Sequence, residues 1–342
     1  MDRPRLLTPA GNRPTGLTRR SVLGLGAAAA TSLIVPGCSR GRSDEPAPAA
    51  PARFATGNKG GVYNAFGIGL AKLVTEVTGV DLTTLVTDGS IENLRMMAQN
   101  KADICFSTSD SALAAYEGTG MFSSGRLRFN ALARTYDNYV HVVVPIASPI
   151  DSVAKLAGKV VNVGPVDSGT KVVADLILKT AKVKVNTTNL GLEQAVAQLK
   201  AKADGSAKPG QGIDALIWSG GLPTKPIEDL QNSIGFRLVD IGSVAEEISL
   251  KQFGGYMVSS IPPSVYKLAS SVLTLALPNY LLARATLSDS WAWWTVNTMF
   301  RRQNDLVDVH PEAASLDPRS AIATMPIPLH PAAERWYRAN HI

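Results

Sequence analysis

From residue 53 onward the apolar positions alternate between two rhythms. Arg53–Thr56 reads as a short strand ending at Gly57. Val62, Phe66, Leu70, Leu73 and Val77 then recur three and four apart, the face of an amphipathic helix. Asp81–Thr87 alternates as a strand, and Ser90 stands where it can cap a helix carrying Ile91, Leu94 and Met97 on one side. Ala102–Phe106, Asn130–Arg134 and Tyr139–Pro145 complete a first series of strands. Strands separated by helices predict a parallel sheet with helical cover.

The series then restarts. Lys159–Gly164 and Val185–Leu190 read as strands, Thr170–Lys182 and Leu192–Ala203 as helices, and Asp204–Gln211 as a Gly- and Pro-containing surface loop. Ile213–Trp218 and Phe236–Ile241 are further strands, with Pro226–Ser233 a helix between them. Val272–Pro278 and Tyr280–Arg284 are extended, and Asp289–Arg302 is a Trp-rich helix. Two α/β units joined by extended segments predict two lobes with a cleft between them, the first from 53–140 and 286–342, the second from 141–285. Ligands of open α/β sheets bind beyond the carboxyl ends of the strands, and both lobes aim those ends at the cleft.

Three turns where a strand gives way to a helix carry the candidate chemistry: Thr56–Tyr63, Thr87–Ser90 and Gly164–Thr170. A helix start exposes unpaired N–H donors and the positive end of its dipole, which suits a carboxylate or phosphate. Gly164 and Gly169 have the spacing of a phosphate-binding loop, but the lysine follows one residue late, as Thr170-Lys171. That places it about 100° around the helix, away from a phosphate. His141, His310, His330 and His341 have no metal-ligand spacing, and no Gly-x-Ser-x-Gly elbow is present. The pattern predicts binding without catalysis, cofactor or metal.

Length and charge sharpen this picture. A chain of 342 residues, 45% hydrophobic and 18% charged, suits two globular lobes of roughly 100–150 residues. Of the net charge of +6, residues 1–37 hold +4, from Arg3, Arg5, Arg13, Arg19 and Arg20 against Asp2. The basicity therefore belongs mostly to the leader and argues against nucleic acid as a partner. Arg19-Arg20, a weakly apolar Gly/Ala stretch and Val35-Pro36-Gly37-Cys38 read as a twin-arginine export signal over 1–37. Its end resembles a lipobox, with Cys38 as the lipid acceptor and membrane anchor, and 38–52 reads as a tether. An uncleaved N-terminal anchor is the alternative. Cys105, in Ile104-Cys105-Phe106, reads as a core thiol.

The turns also carry a resemblance. Thr56-Gly57-Asn58-Lys59-Gly60-Gly61-Val62-Tyr63-Asn64, Gly89-Ser90-Ile91-Glu92-Asn93-Leu94, Ala102-Asp103-Ile104 leading to Thr108-Ser109-Asp110, and Asp167-Ser168-Gly169-Thr170 come in that order. Gly221-Leu222-Pro223-Thr224 and the tail Pro328–Tyr337 follow. Together they resemble the TAXI family, the TRAP-associated extracytoplasmic immunogenic solute receptors, over about residues 53–338. The resemblance implies a class II periplasmic-binding fold that closes by hinge motion on a glutamate-like or dicarboxylate ligand, a small carboxylate delivered to TRAP transporter membrane subunits. Asn58, Lys59, Asn64 and Thr108 depart from the family's pattern. The expected ligand shell is Tyr63, Ser90, Ser109, Ser168, Gly169 and Thr170, then Ser219 and Gly220, with Lys59 and Trp218 as specificity residues. The receptor is expected to be a monomer outside the cytoplasm. The alternatives are a ligand sensor for a membrane signalling protein, a receptor for an ATP-driven ABC importer, or, last, an exported enzyme.

Overall fold

The computed structural model describes residues 45–252 and 255–342, so the twin-arginine pair, Cys38 and the start of the tether lie outside the described residues. The strands are β1 (Ala52–Ala55), β2 (Leu82–Leu85), β3 (Ile104–Thr108), β4 (Phe129–Pro145), β5 (Val160–Asn162), β6 (Asn186–Thr188), β7 (Ala215–Gly220), β8 (Phe236–Leu238), β9 (Met257–Ile261) and β10 (Val272–Arg284). They form one sheet in the order β2-β1-β3-β10-β4-β7-β5-β6, with β8 against β4 and β9 against β10. The pairs β1–β2, β1–β3, β5–β6 and β5–β7 are parallel, and those made by β4 and β10 are antiparallel.

The two long strands belong to both halves. Asn279–Ala283 of β10 pairs with β3 in the first lobe, whereas Val272–Ala276 pairs with β9 in the second; Tyr139–Val143 of β4 pairs with β7. Two α/β lobes built on shared crossing strands are the class II binding-protein architecture; the repeated pattern predicts the two lobes, and the family resemblance implies the class.

Each lobe has its own core. The first is aromatic, with Phe54, Phe66, Phe106, Tyr136, Trp291, Trp336 and Tyr337 buried together. The Phe66 and Phe106 side chains are fully buried, each worth roughly 1.5–3 kcal/mol relative to exposure. The second core is aliphatic, with Val140, Val142, Val161, Val173, Ile177 and Ile217. Cys105 is a buried core thiol, and burial pushes its pKa well above the usual range.

Several boundaries differ from the sequence reading. Asn130–Arg134 and Tyr139–Pro145 are one strand, β4; Tyr136 and Asn138, in the polar stretch between them, line the interlobe cavity. Val272–Pro278 and Tyr280–Arg284 are likewise one strand, with a register shift around Asn279. The return to the first lobe therefore falls inside β10, and Tyr280–Arg284 is not part of the second lobe. A helix at Ser109–Glu117 has no counterpart in the reading, since its buried face is Ala112 and Ala115, a weak apolar signal. The folded end of the expected tether is docked. Trp294 Nε1 donates to Pro46 O (3.0 Å), Trp291 Nε1 donates to Ala50 O (2.8 Å), and Arg335 pairs with Glu45 at 3.1 Å.

Candidate functional site

Four helices start at the mouth of the cleft: α1 (Val62–Thr78), α2 (Ser90–Ala98), α3 (Ser109–Glu117) and α4 (Gly169–Thr180). Phe66, Leu70 and Val74 bury the face of α1, and Gly79, at φ 71°, ends it. Val77, expected on that face, is exposed in the last turn. Buried Asn93 of α2 fixes the turns: its Nδ2 donates to Thr56 O and Phe106 O, both at 2.8 Å, and its Oδ1 accepts from Thr87 Oγ1 at 2.6 Å. One amide thus ties the ends of β1 and β3 to the turn after β2. Gly89 precedes α2 at φ 124°, a conformation that side chains rarely adopt.

Between the lobes lies a cavity of about 40 Å³, enough for a few waters. Its first-lobe wall is Gly57, Asn58, Gly61–Tyr63, Asp88–Ser90 and Thr108; Tyr136 and Asn138 come from β4, and Ser168–Thr170 and Trp218–Gly220 close the far side. Of the expected shell, Tyr63, Ser90, Ser168, Gly169, Thr170, Trp218, Ser219 and Gly220 lie in this lining. Lys59 does not: it is exposed on the outer side of its turn, because Asn58 and Gly61 turn inward. Ser109 is buried at the start of α3 but is not in the lining. Val62, Thr108, Tyr136 and Asn138 are lining residues outside the expected shell. The polar stretch Thr135–Asn138 between two apolar runs is the signal that could have found the last two.

Several hydroxyls in the wall are already committed. Ser168 Oγ donates to Pro165 O (2.7 Å) and accepts from Lys171 N (3.1 Å), which makes it the cap of α4. Thr170 Oγ1 accepts from Ser219 N at 3.2 Å, and Ser90 Oγ accepts from Thr108 N at 3.0 Å. Tyr63 stacks on Phe106 at 4.9 Å and its Oη donates to Asn279 Oδ1 at 2.5 Å. Asn279 Nδ2 donates in turn to Tyr136 O (3.1 Å) and Asn138 Oδ1 (2.8 Å). Three groups are left over: Tyr136 Oη, Trp218 Nε1 and Ser219 Oγ are buried without a hydrogen-bond partner among the described residues. Burial pushes the Tyr136 and Tyr63 phenols well above their usual pKa, so both are protonated.

The lobes are closed on each other. Arg95 meets Asp167 at 2.6 Å, Glu92 N donates to Asp167 O (3.0 Å), and Tyr256 Oη donates to Asp110 Oδ2 (2.6 Å). A Cβ on Gly169 would lie 2.7 Å from Ser90 Oγ and 2.8 Å from Thr108 Oγ1, both in the opposite lobe. Near the crossing strands, Glu312 accepts from Leu222 N, and His310 Nε2 lies 3.1 Å from Pro223 O. Because Glu312 N donates to His310 Nδ1, the Nε2 carries the proton and donates to Pro223. Burial raises the Glu312 carboxyl to about 7; the Leu222 N–H lowers it and Asp137 raises it further.

The fold is of the class II binding-protein architecture, with a closed cavity between its lobes. The chain belongs to the NMT1-like family, whose model matches residues 54–340. That membership corrects the resemblance to the TAXI family, and with it the pairing with TRAP membrane subunits. Among solved structures, the chain is similar to the alkanesulfonate-binding protein of Xanthomonas axonopodis pv. citri bound to MOPS, at 15% identity over 85% of this chain and 84% of that one, with a TM-score of 0.48. It is also similar to a binding-protein component of an ABC phosphonate transporter from Pseudomonas aeruginosa, at 14% identity over 77% and 78% of the two chains, with a TM-score of 0.48.

Proposed function

We propose that this protein is an extracytoplasmic receptor that encloses a small solute between its lobes and presents it to a membrane importer of the ATP-driven ABC class. The observation that carries the reading is the trio of buried, unpaired polar groups in the interlobe cavity. A buried polar group without a partner costs about 1–3 kcal/mol, a cost that a bound solute removes. The leader, with Arg19-Arg20 and Cys38, supports export and attachment to the outer face of the membrane. With the TRAP pairing set aside, the ABC importer is the transporter class left of those the sequence raised. By linkage, a solute held by both lobes favours the closed form, and an importer that docks the closed form senses loading.

The purified protein, screened by thermal shift against small polar solutes, is expected to gain several degrees with a subset of them. Calorimetry should then give one site per chain, and chromatography should recover the solute unchanged. Chemical turnover, or no stabilisation by any solute class, would remove the receptor reading.

A further inference from the structure

We infer that the cavity is built for a compact solute with a single oxyanion head, a monocarboxylate or sulfonate, and that it excludes dianions and amino acids. This deepens the receptor reading and rests on it. Hydrogen-bonding direction comes first. Among the described residues, the backbone N–H groups of Val62, Tyr63, Ser90, Gly169 and Thr170, all lining residues in the first turns of α1, α2 and α4, have no protein acceptor. Trp218 Nε1 adds a side-chain donor that can only donate, on a residue 6% exposed. The Tyr136 and Ser219 hydroxyls, on residues 1% and 6% exposed, are free to donate as well. The obvious side-chain acceptor, Asn138 Oδ1, is already used by Asn279. A lining dominated by donors calls for a ligand group that only accepts, and an ionised carboxylate or sulfonate is such a group.

Charge then limits how much negative charge the site can hold. No lysine or arginine lines the cavity among the described residues, and Lys59 points away from it. The positive potential comes from helix starts, each equivalent to about half a charge. Asp88, exposed at the rim, is the single ionisable carboxylate in the lining and opposes a second negative charge. The same inventory rejects an amino acid, whose ammonium would find no buried carboxylate. Gly220 completes the fit: a Cβ there would stand 2.6 Å from Trp218 Nε1 and obstruct the indole donor.

The test uses the intact protein and matched probes: acetate, lactate and methanesulfonate against succinate, glutamate and inorganic phosphate. Acetate, lactate and methanesulfonate are expected to raise the melting temperature and to bind at least tenfold tighter than succinate, glutamate or phosphate. Trp218→Phe keeps the ring and removes the donor; it should weaken monoanion binding by roughly tenfold. Ser219→Ala, a smaller change that keeps the proposal testable if the first variant folds poorly, should weaken it several-fold. Tighter binding of succinate, glutamate or phosphate, or unchanged affinity in both folded variants, overturns this inference and leaves the receptor reading standing. Failure of every solute class in the wider screen overturns both.

Discussion

Two clusters of polar groups lie at the cavity wall or directly behind it, and they differ in one respect. Tyr63, Asn138 and Asn279 form a closed set in which Asn279 serves three partners at 2.5–3.1 Å. Tyr136 Oη, Trp218 Nε1 and Ser219 Oγ, in the same wall, have none. Asn138 and Asn279 are as buried as the three unpaired groups, and Tyr63 is half-buried, so solvent access does not set the two clusters apart. A satisfied set stabilises the fold and fixes where strands cross; an unsatisfied set raises the energy of the empty closed state until something fills it. Within this wall, completeness of hydrogen bonding separates the two clusters where residue type does not: a tyrosine appears in each.

The comparison can be broken most forcefully at Gly169. A valine there would press on Ser90 and Thr108 of the other lobe, so Trp218 and Ser219 could no longer be brought against the first-lobe wall that carries Tyr136. Solute affinity should fall about a hundredfold or more, while the ligand-free melting temperature stays within a few degrees of the parent. Retained affinity in a destabilised Gly169→Val protein would mean that the turn serves the fold alone.

Asn279→Ala attacks the satisfied set. It strands the Tyr63 hydroxyl, the Tyr136 carbonyl and the Asn138 amide, and should cost about 2–4 kcal/mol in urea unfolding. Per unit of stability lost, affinity should suffer less than in the Trp218 variant. A loss below about 0.5 kcal/mol would show that these groups find other partners.

The smallest effect tests Glu312, which lies between the two cases because its carboxyl has one partner from the opposite lobe. Its pKa is raised by burial to about 7 in the folded protein, against an ordinary value near 4.5. The folded form therefore holds a proton that the unfolded chain has released. The associated stability is fully present below about pH 4.5 and is lost as pH rises to about 7. Melting temperature should drift down by a few degrees across that window in the parent, and Glu312→Gln should flatten this part of the profile. An identical slope in the variant would assign it to other groups.

The fold was largely legible because strand and helix rhythms repeat on both sides of the middle of the chain. Ser168–Thr170 is legible as a turn between strand and helix, and Trp218–Gly220 as the end of a strand, which β7 carries through Gly220. What sequence could not convey is the direction of a side chain within a turn. Lys59 and Asn58 are neighbours in one glycine-rich loop, yet one meets solvent and the other the cavity. Tyr136 and Asn138 escaped because a long strand that faces a cleft midway loses its apolar alternation there and reads as a break. In sequence the Gly164–Thr170 turn reads as a helix start that offers N–H donors to an anion; the geometry at Gly169 adds a second demand, room for the opposite lobe. The family assignment shows a different limit. Short Gly- and Ser-rich turns recur wherever helices begin at a ligand cleft, so they are better guides to architecture than to the identity of the transporter.

The crossing itself has a mechanical consequence. β4 and β10 are hydrogen-bonded neighbours along the passage between the lobes, so the connection is a two-stranded ribbon and not a pair of independent strings. A ribbon of this kind flexes readily out of its plane and resists shear within it. Opening should then follow one bending coordinate, with its softest stretch at the two register shifts between Pro278 and Leu282, where the ladder is interrupted. A protein with a single compliant axis converts occupancy of a very small volume into a large, reproducible displacement at the lobe tips, the quantity a membrane partner can gauge without touching the solute.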